Sequence, residues 1–221
     1  MQHNVPLTCS WRKHTPGGTQ RYIMSRDKIL AAIKKNQPDL KPLPSLEGLN
    51  QSTHAPNEQF KAVLQRIGGA VVEVTDYQMI EQFVQHNYNS QNRVISTLPE
   101  LKNVAELDWQ NTDPHDLENV ELTIIKGIFG VAENAAIWIT EGLMGQRVAP
   151  FICQNLAVVL NEKDIVPTMH EAYARIGSSD YGFGAFIAGP SKTADIEQSL
   201  VLGAHGSKTM VVFLMKNTEG S

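Results

Sequence analysis

Four continuous apolar runs, at residues 122–125, 156–160, 185–188 and 210–214, constrain this chain most. None alternates between apolar and polar positions, as a strand with one wet face would, so each is expected to be buried on both faces. They lie too far apart for tight hairpins, and parallel strands need crossover connections. Upstream, Phe60, Val63, Leu64 and Ile67 recur at helical spacing and stop at Gly68-Gly69. A strand at 70–74, a helix capped by Asp76 and carrying Ile80, Phe83 and Val84, and a short strand at 93–96 follow. This alternation predicts an α/β domain over residues 57–221, built on a parallel or mostly parallel sheet.

The rest of the chain is set apart by composition. Residues 1–23 hold Arg12, Lys13 and Arg21 and no acid, whereas residues 24–221 hold 16 basic and 23 acidic residues. The first stretch shows no periodicity and is expected to be a disordered tail outside the fold, with translation starting at Met24. Residues 24–56 read as an N-terminal helical arm, with Ile29, Leu30 and Ile33 on one face, and a linker rich in Pro, Ser, Asn and Gln. A formal charge of -4 with no block of like charge disfavours nucleic-acid and membrane-surface binding. The longest apolar run, 210–215, is far below the ~20 residues that span a bilayer. Two cysteines, Cys9 and Cys153, cannot supply the four thiolates of an iron–sulfur cluster, and the histidines form no ligand motif. A cytoplasmic place, with no cofactor or metal held by this chain's own residues, is the expectation.

Two irregular stretches interrupt the rhythm. Gly127 and Gly130 precede Glu133 and Asn134 between apolar strands, in a span too short for a crossover helix, so a hairpin or bent loop is expected. Partial burial would raise the Glu133 pKa and suit it to proton transfer or nucleophilic attack. The plainer alternative is a Glu that fixes the bend by accepting from loop amides. In the second stretch, at 141–154, Arg147 can clamp a carboxylate bidentately or form a surface ion pair.

The clearest unit is Gly189-Pro190-Ser191-Lys192-Thr193-Ala194-Asp195-Ile196-Glu197, read as the turn from a strand into a helix closed by Gly206. Ser191 or Thr193 would cap it, Asp195 would complement its positive end, Lys192 would add a cation for a bound anion, and His205 would sit at its C-terminus. An ordinary capped turn without ligand explains all but Lys192. A phosphate loop fails, because the Lys-Thr pair comes two residues late and the segment after Gly184 is an apolar strand.

This unit, continuing Leu200-Val201-Leu202-Gly203-Ala204-His205-Gly206, resembles the C-terminal signature of the LUD domain, the LutC/YkgG lactate utilization family. Gly127 through Glu133, the segment around Arg147, and Ile165-Val166-Pro167-Thr168 resemble the same family in the same order. The resemblance implies a three-layer α/β/α fold of the NagB/RpiA/CoA-transferase-like kind. It also implies a cluster-free subunit of a system that oxidises L-lactate to pyruvate, working with partner subunits that carry iron–sulfur clusters. On that reading Glu133 and Asp195 are catalytic candidates, and Gly127, Gly130, Asn134, Arg147, Ser191, Lys192, Thr193 and His205 bind a small carboxylate. The chain departs from the family where Asn134-Ala135 replaces a Thr-Gly pair, so that loop is expected to be rebuilt. A stand-alone transferase or isomerase using Glu133, and a non-catalytic assembly protein, are the alternative readings.

Overall fold

The computed structural model describes residues 25–42, 44, 55–194 and 200–216. The chain divides into two units, residues 1–45 and 46–221. In the first, α1 (Ser25–Lys35) leaves Ile29, Leu30 and Ile33 exposed.

The second unit begins with α2 (Pro56–Arg66), β1 (Ala70–Val74), α3 (Tyr77–Asn87) and β2 (Arg93–Ser96). Proline in its first turn opens α2, while the Asp76 carboxylate accepts from Met79 N–H at 3.0 Å to cap α3. The chain continues through β3 (Val120–Lys126), β4 (Phe129–Val131), β5 (Ile137–Thr140), the short helices α4 (Glu141–Met144) and α5 (Ala149–Ile152), and β6 (Asn155–Asn161). It ends with β7 (Ile165–Val166), α6 (Met169–Ile176), β8 (Gly184–Ile187), β9 (Lys192–Ala194), β10 (Leu200–Leu202) and β11 (Thr209–Met215).

Five strands in the order β1-β11-β6-β3-β2 form one wholly parallel sheet. Its two faces are built by alternate residues of the same apolar runs. Leu156, Val158, Leu160, Val212 and Leu214 pack with Phe60 and Leu64 of α2, whereas Ala157, Val159 and Phe213 pack with Ile80 and Val84 of α3. Burial on both faces is why these runs lack polar alternation. Three of the four runs, at 122–125, 156–160 and 210–214, therefore lie where the sequence puts them.

The fourth run does not. Residues 184–187 form β8, which pairs antiparallel with β5 at the end of a second sheet of order β7-β4-β5-β8. That sheet shares one flank of the parallel sheet with α2, since Ile137 and Ile139 join the same core as Phe60. The residues of β8 are only partly buried, and a short apolar run cannot reveal that its outer side is open. The expected hairpin after Lys126 is present as antiparallel β4 and β5.

Candidate functional site

The helix expected after Ser191 is not formed. Lys192–Ala194 is strand β9, and it pairs antiparallel with β10 in a separate two-stranded sheet. Ser, Thr and Gly suit turns as well as helix caps, while Leu200-Val201-Leu202 favours a strand. Gly206 and His205 accordingly lie in the loop after β10 rather than at a helix end. Asp195 lies outside the described residues.

What the structure builds instead is a pair of interlocked loops. Ser191 N–H donates to Ser207 O at 2.9 Å, and Ser191 O accepts from Gly203 N–H at 3.1 Å. Gly206 approaches so closely that a Cβ there would lie 3.2 Å from Ser191 Cβ. Gly203 has φ +78, and a Cβ would meet Lys208 Cγ at 2.4 Å, so only glycine fits without displacing Lys208. Lys208 N–H donates to Gln154 O at 2.8 Å, which anchors this loop where Thr209 and Asn155 begin β11 and β6.

Two cavities open on this loop pair at the amino ends of those strands. One, of about 440 Å³, is lined by Cys153, Gln154, His205 and Lys208. The other, of about 210 Å³, is lined by Phe186, Ala188, Ser191 and Ser207. Phe151, His205 and Gly206 line both. Neither has an acidic residue among its described lining, and His205 and Lys208 have no side-chain partner among the described residues. The Cys153 thiol is pushed up to about 11 by burial, so it stays protonated and forms an inert wall. Among the described residues the arrangement is a small cleft with an ammonium and an imidazole and no acid, a combination able to pair with an anion.

The other predicted site residues are used differently. Lys192 is exposed and runs past the C-terminal turn of α2, where a Cβ on Gly68 would lie 3.5 Å from Nζ. A cation near a helix C-terminus is favourable, which accounts for the lysine that capping did not explain. Thr193 faces Val201 across the β9–β10 ladder. Glu133 is exposed rather than partly buried, and its Oε2 accepts from Met169 N–H at 2.9 Å in the first turn of α6. Its carboxylate thus holds the first turn of α6 and also lines a cavity of about 660 Å³ beside α2. Asn134 Oδ1 accepts from Ala136 N–H at 3.0 Å, closing the turn in which Ala135 adopts φ +57. Gly127 and Gly130 are packing positions, since a Cβ would meet Ile137 Cγ2 at 2.5 Å or Phe60 and Leu160 at 2.9 Å. Arg147 pairs with Glu141 at 2.6 Å, lies 5.3 Å over the Phe183 ring and holds the Glu141 carboxyl below its usual range.

Of the predicted residues, the structure therefore brings Ser191 and His205 into one cleft and leaves Glu133 and Arg147 out of it. Sequence reasoning missed Phe151, Gln154 and Lys208. The one available signal was the proximity of Lys208 to His205-Gly206. Among the described residues, no cluster of His, Cys, Asp and Glu has the makings of a metal site.

The LUD domain family model matches residues 57–215, a span that includes both cleft loops. The chain belongs to the LUD domain family. It is 26% identical over 208 residues to Lactate utilization protein C of Geobacillus sp. (strain WCH70), covering 89% of this chain and 81% of that protein. It is 28% identical over 123 residues to Lactate utilization protein C of Bacillus pumilus (strain SAFR-032), covering 50% and 51% respectively. The crystal structure of a DUF162 family protein from Deinococcus radiodurans superposes with a TM-score of 0.55 at 14% identity, over 72% of this chain and 96% of that one. That likeness establishes a shared fold.

Proposed function

We propose that this LUD domain protein is the cluster-free subunit of a cytoplasmic L-lactate oxidation system, and that it holds a small carboxylate in the cleft between its two signature loops. The observation that carries the reading is the similarity to Lactate utilization protein C across most of both chains. On the same reading the sheet with α2 and α3 on its faces is a NagB/RpiA/CoA-transferase-like core. Converting lactate to pyruvate releases two electrons and two protons, and two cysteines cannot ligate a cluster to take the electrons. Partner subunits carrying iron–sulfur clusters would accept them. Lys208 pairs with the carboxylate, and His205, which lines both cavities, stands in the same cleft. No helix among the described residues is long and apolar enough to cross a membrane.

The test is mild affinity purification from native cells, followed by iron analysis and lactate-dependent dye reduction. Co-eluting iron-bearing subunits with activity that falls in Lys208→Ala support the reading. A lone chain that binds neither lactate nor pyruvate overturns it.

A further inference from the structure

The 210 Å³ cavity lies along a strand edge that nothing in the described structure pairs. The phase of the hydrogen bonds fixes which groups point outward. Ala136 O and Trp138 O accept from Val131 and Ile128 of the β4 segment, so the intervening Ile137 and Ile139 turn their polar groups toward β8. They face Ile187 and Ala185, and Phe183 O likewise bonds inward to Glu141 N–H. The N–H and C=O groups of Gly184 and Phe186 must then point away from the sheet, and Ala188 continues the alternation. These outward groups have no partner among the described residues.

Sheet edges are ordinarily blunted by lysine, proline or an inward charge, and β8 reads Gly-Ala-Phe-Ile without any of them. Beside this edge stand Phe151, 39% exposed, and the His205–Ser207 loop. The space between is a groove of about 210 Å³. It shares His205 with the adjoining cavity, which adds Lys208, and no acid is among the described lining of either.

We propose that this groove receives an extended, acidic segment of a partner protein by strand addition to β8. Main-chain hydrogen bonds to Phe186 and Ala188 supply the pairing, Phe151 covers an apolar side chain, and a carboxylate side chain reaches His205. The inference goes beyond carboxylate binding, since it concerns the strand edge rather than the larger cavity, and it does not require the small acid to be lactate.

The experiment uses the full chain and three fluorescein-labelled heptapeptides. The parent reads Thr-Val-Thr-Phe-Thr-Glu-Asp, the second carries N-methyl groups on alternate amides, and the third has lysine in place of both acids. The parent is expected to bind by fluorescence anisotropy, with each analogue at least tenfold weaker. Saturation with the parent should slow amide exchange of Phe186 at least tenfold, read by NMR. Equal binding of the N-methylated peptide, unchanged exchange at Phe186, or no binding at all overturns the proposal. So does a free chain that sediments as a dimer with Phe186 already protected, because a second copy would then occupy the edge. A lactate titration of the same sample tests the carboxylate reading separately, since either ligand can bind while the other fails.

Discussion

The β4–β5 hairpin and the 189–191/203–208 loop pair carry similar residues: glycines, a serine or asparagine, and one candidate acid–base group each. Their environments are opposite. In the hairpin, missing Cβ atoms are replaced by Ile137, Phe60 and Leu160, and the Glu133 and Asn134 side chains are engaged by backbone N–H groups. In the loop pair the glycines let backbones approach and turn, cavities remain beside them, and the imidazole and ammonium have no described partner. Glycine next to a polar residue thus marks close approach in both. What differs is the occupant of the vacated space at the glycines: apolar side chains in the hairpin, backbone and an open cavity at the loop pair, while the hairpin's own cavity of about 660 Å³ lies at Glu133 against α2.

The sharpest way to break this contrast is to empty the filled side. Phe60 is fully buried and fills the space beside Gly130, so Phe60→Ala should cost about 3–5 kcal/mol in urea unfolding. A loss near zero would mean that the hairpin is not closed by packing. On the open side, Lys208→Ala should weaken lactate or pyruvate binding by roughly 10- to 100-fold, because it removes a charge-assisted bond of about 1.5–3 kcal/mol. Glu133→Gln, compared with Lys208→Ala by titration calorimetry, should change affinity less than about twofold. If the two variants exchanged places, the functional site would lie at the hairpin.

Acid titration probes the scaffold elsewhere, where α2 meets the edge of the parallel sheet. The Lys216 and Lys61 ammonium groups hold the Glu73 carboxyl down at about 2, and Lys61 also bonds Glu58 at 2.8 Å, tying α2 to β1 and β11. A carboxyl with a depressed folded-state pKa contributes stability above its unfolded value, and that contribution disappears as pH falls through the folded value. Tm should therefore drop between about pH 4.5 and pH 2, with a smaller drop in Glu73→Gln and in high salt, where exposed pairs are screened. An unchanged acid limb in Glu73→Gln would remove this network from the account.

The parallel sheet was largely legible in the sequence because burial on both faces writes itself as unbroken apolar runs, as in 156–160 and 210–214. Residues 185–188 carry the same pattern for another reason, the Phe186 ring packing on Trp138 and Phe129 while the strand's outer edge has no partner among the described residues. At the cleft, Ser191 and His205 belong to the signature and line one cavity, but the turn-favouring Ser, Thr and Gly residues fit helix and hairpin alike. Lys208, Gln154 and Phe151 converge only because β6 and β11 are neighbours, a pairing of distant segments that local pattern does not encode.

The smallest expected effect concerns Ala135, the one non-glycine residue with a positive φ among the described residues. Ala135 takes φ +57, with Asn134 Oδ1 accepting from Ala136 N–H across the turn. A left-handed conformation costs a non-glycine residue about 1–2 kcal/mol, which Ala135→Gly would relieve. The same change removes a fully buried methyl, worth roughly 0.8 kcal/mol, and frees the unfolded chain. These terms nearly cancel, so stability should move by less than about 1 kcal/mol and lactate affinity should not move at all. A larger gain would mean that backbone strain outweighs the methyl's packing, and a shift in affinity would tie this hairpin back to the site.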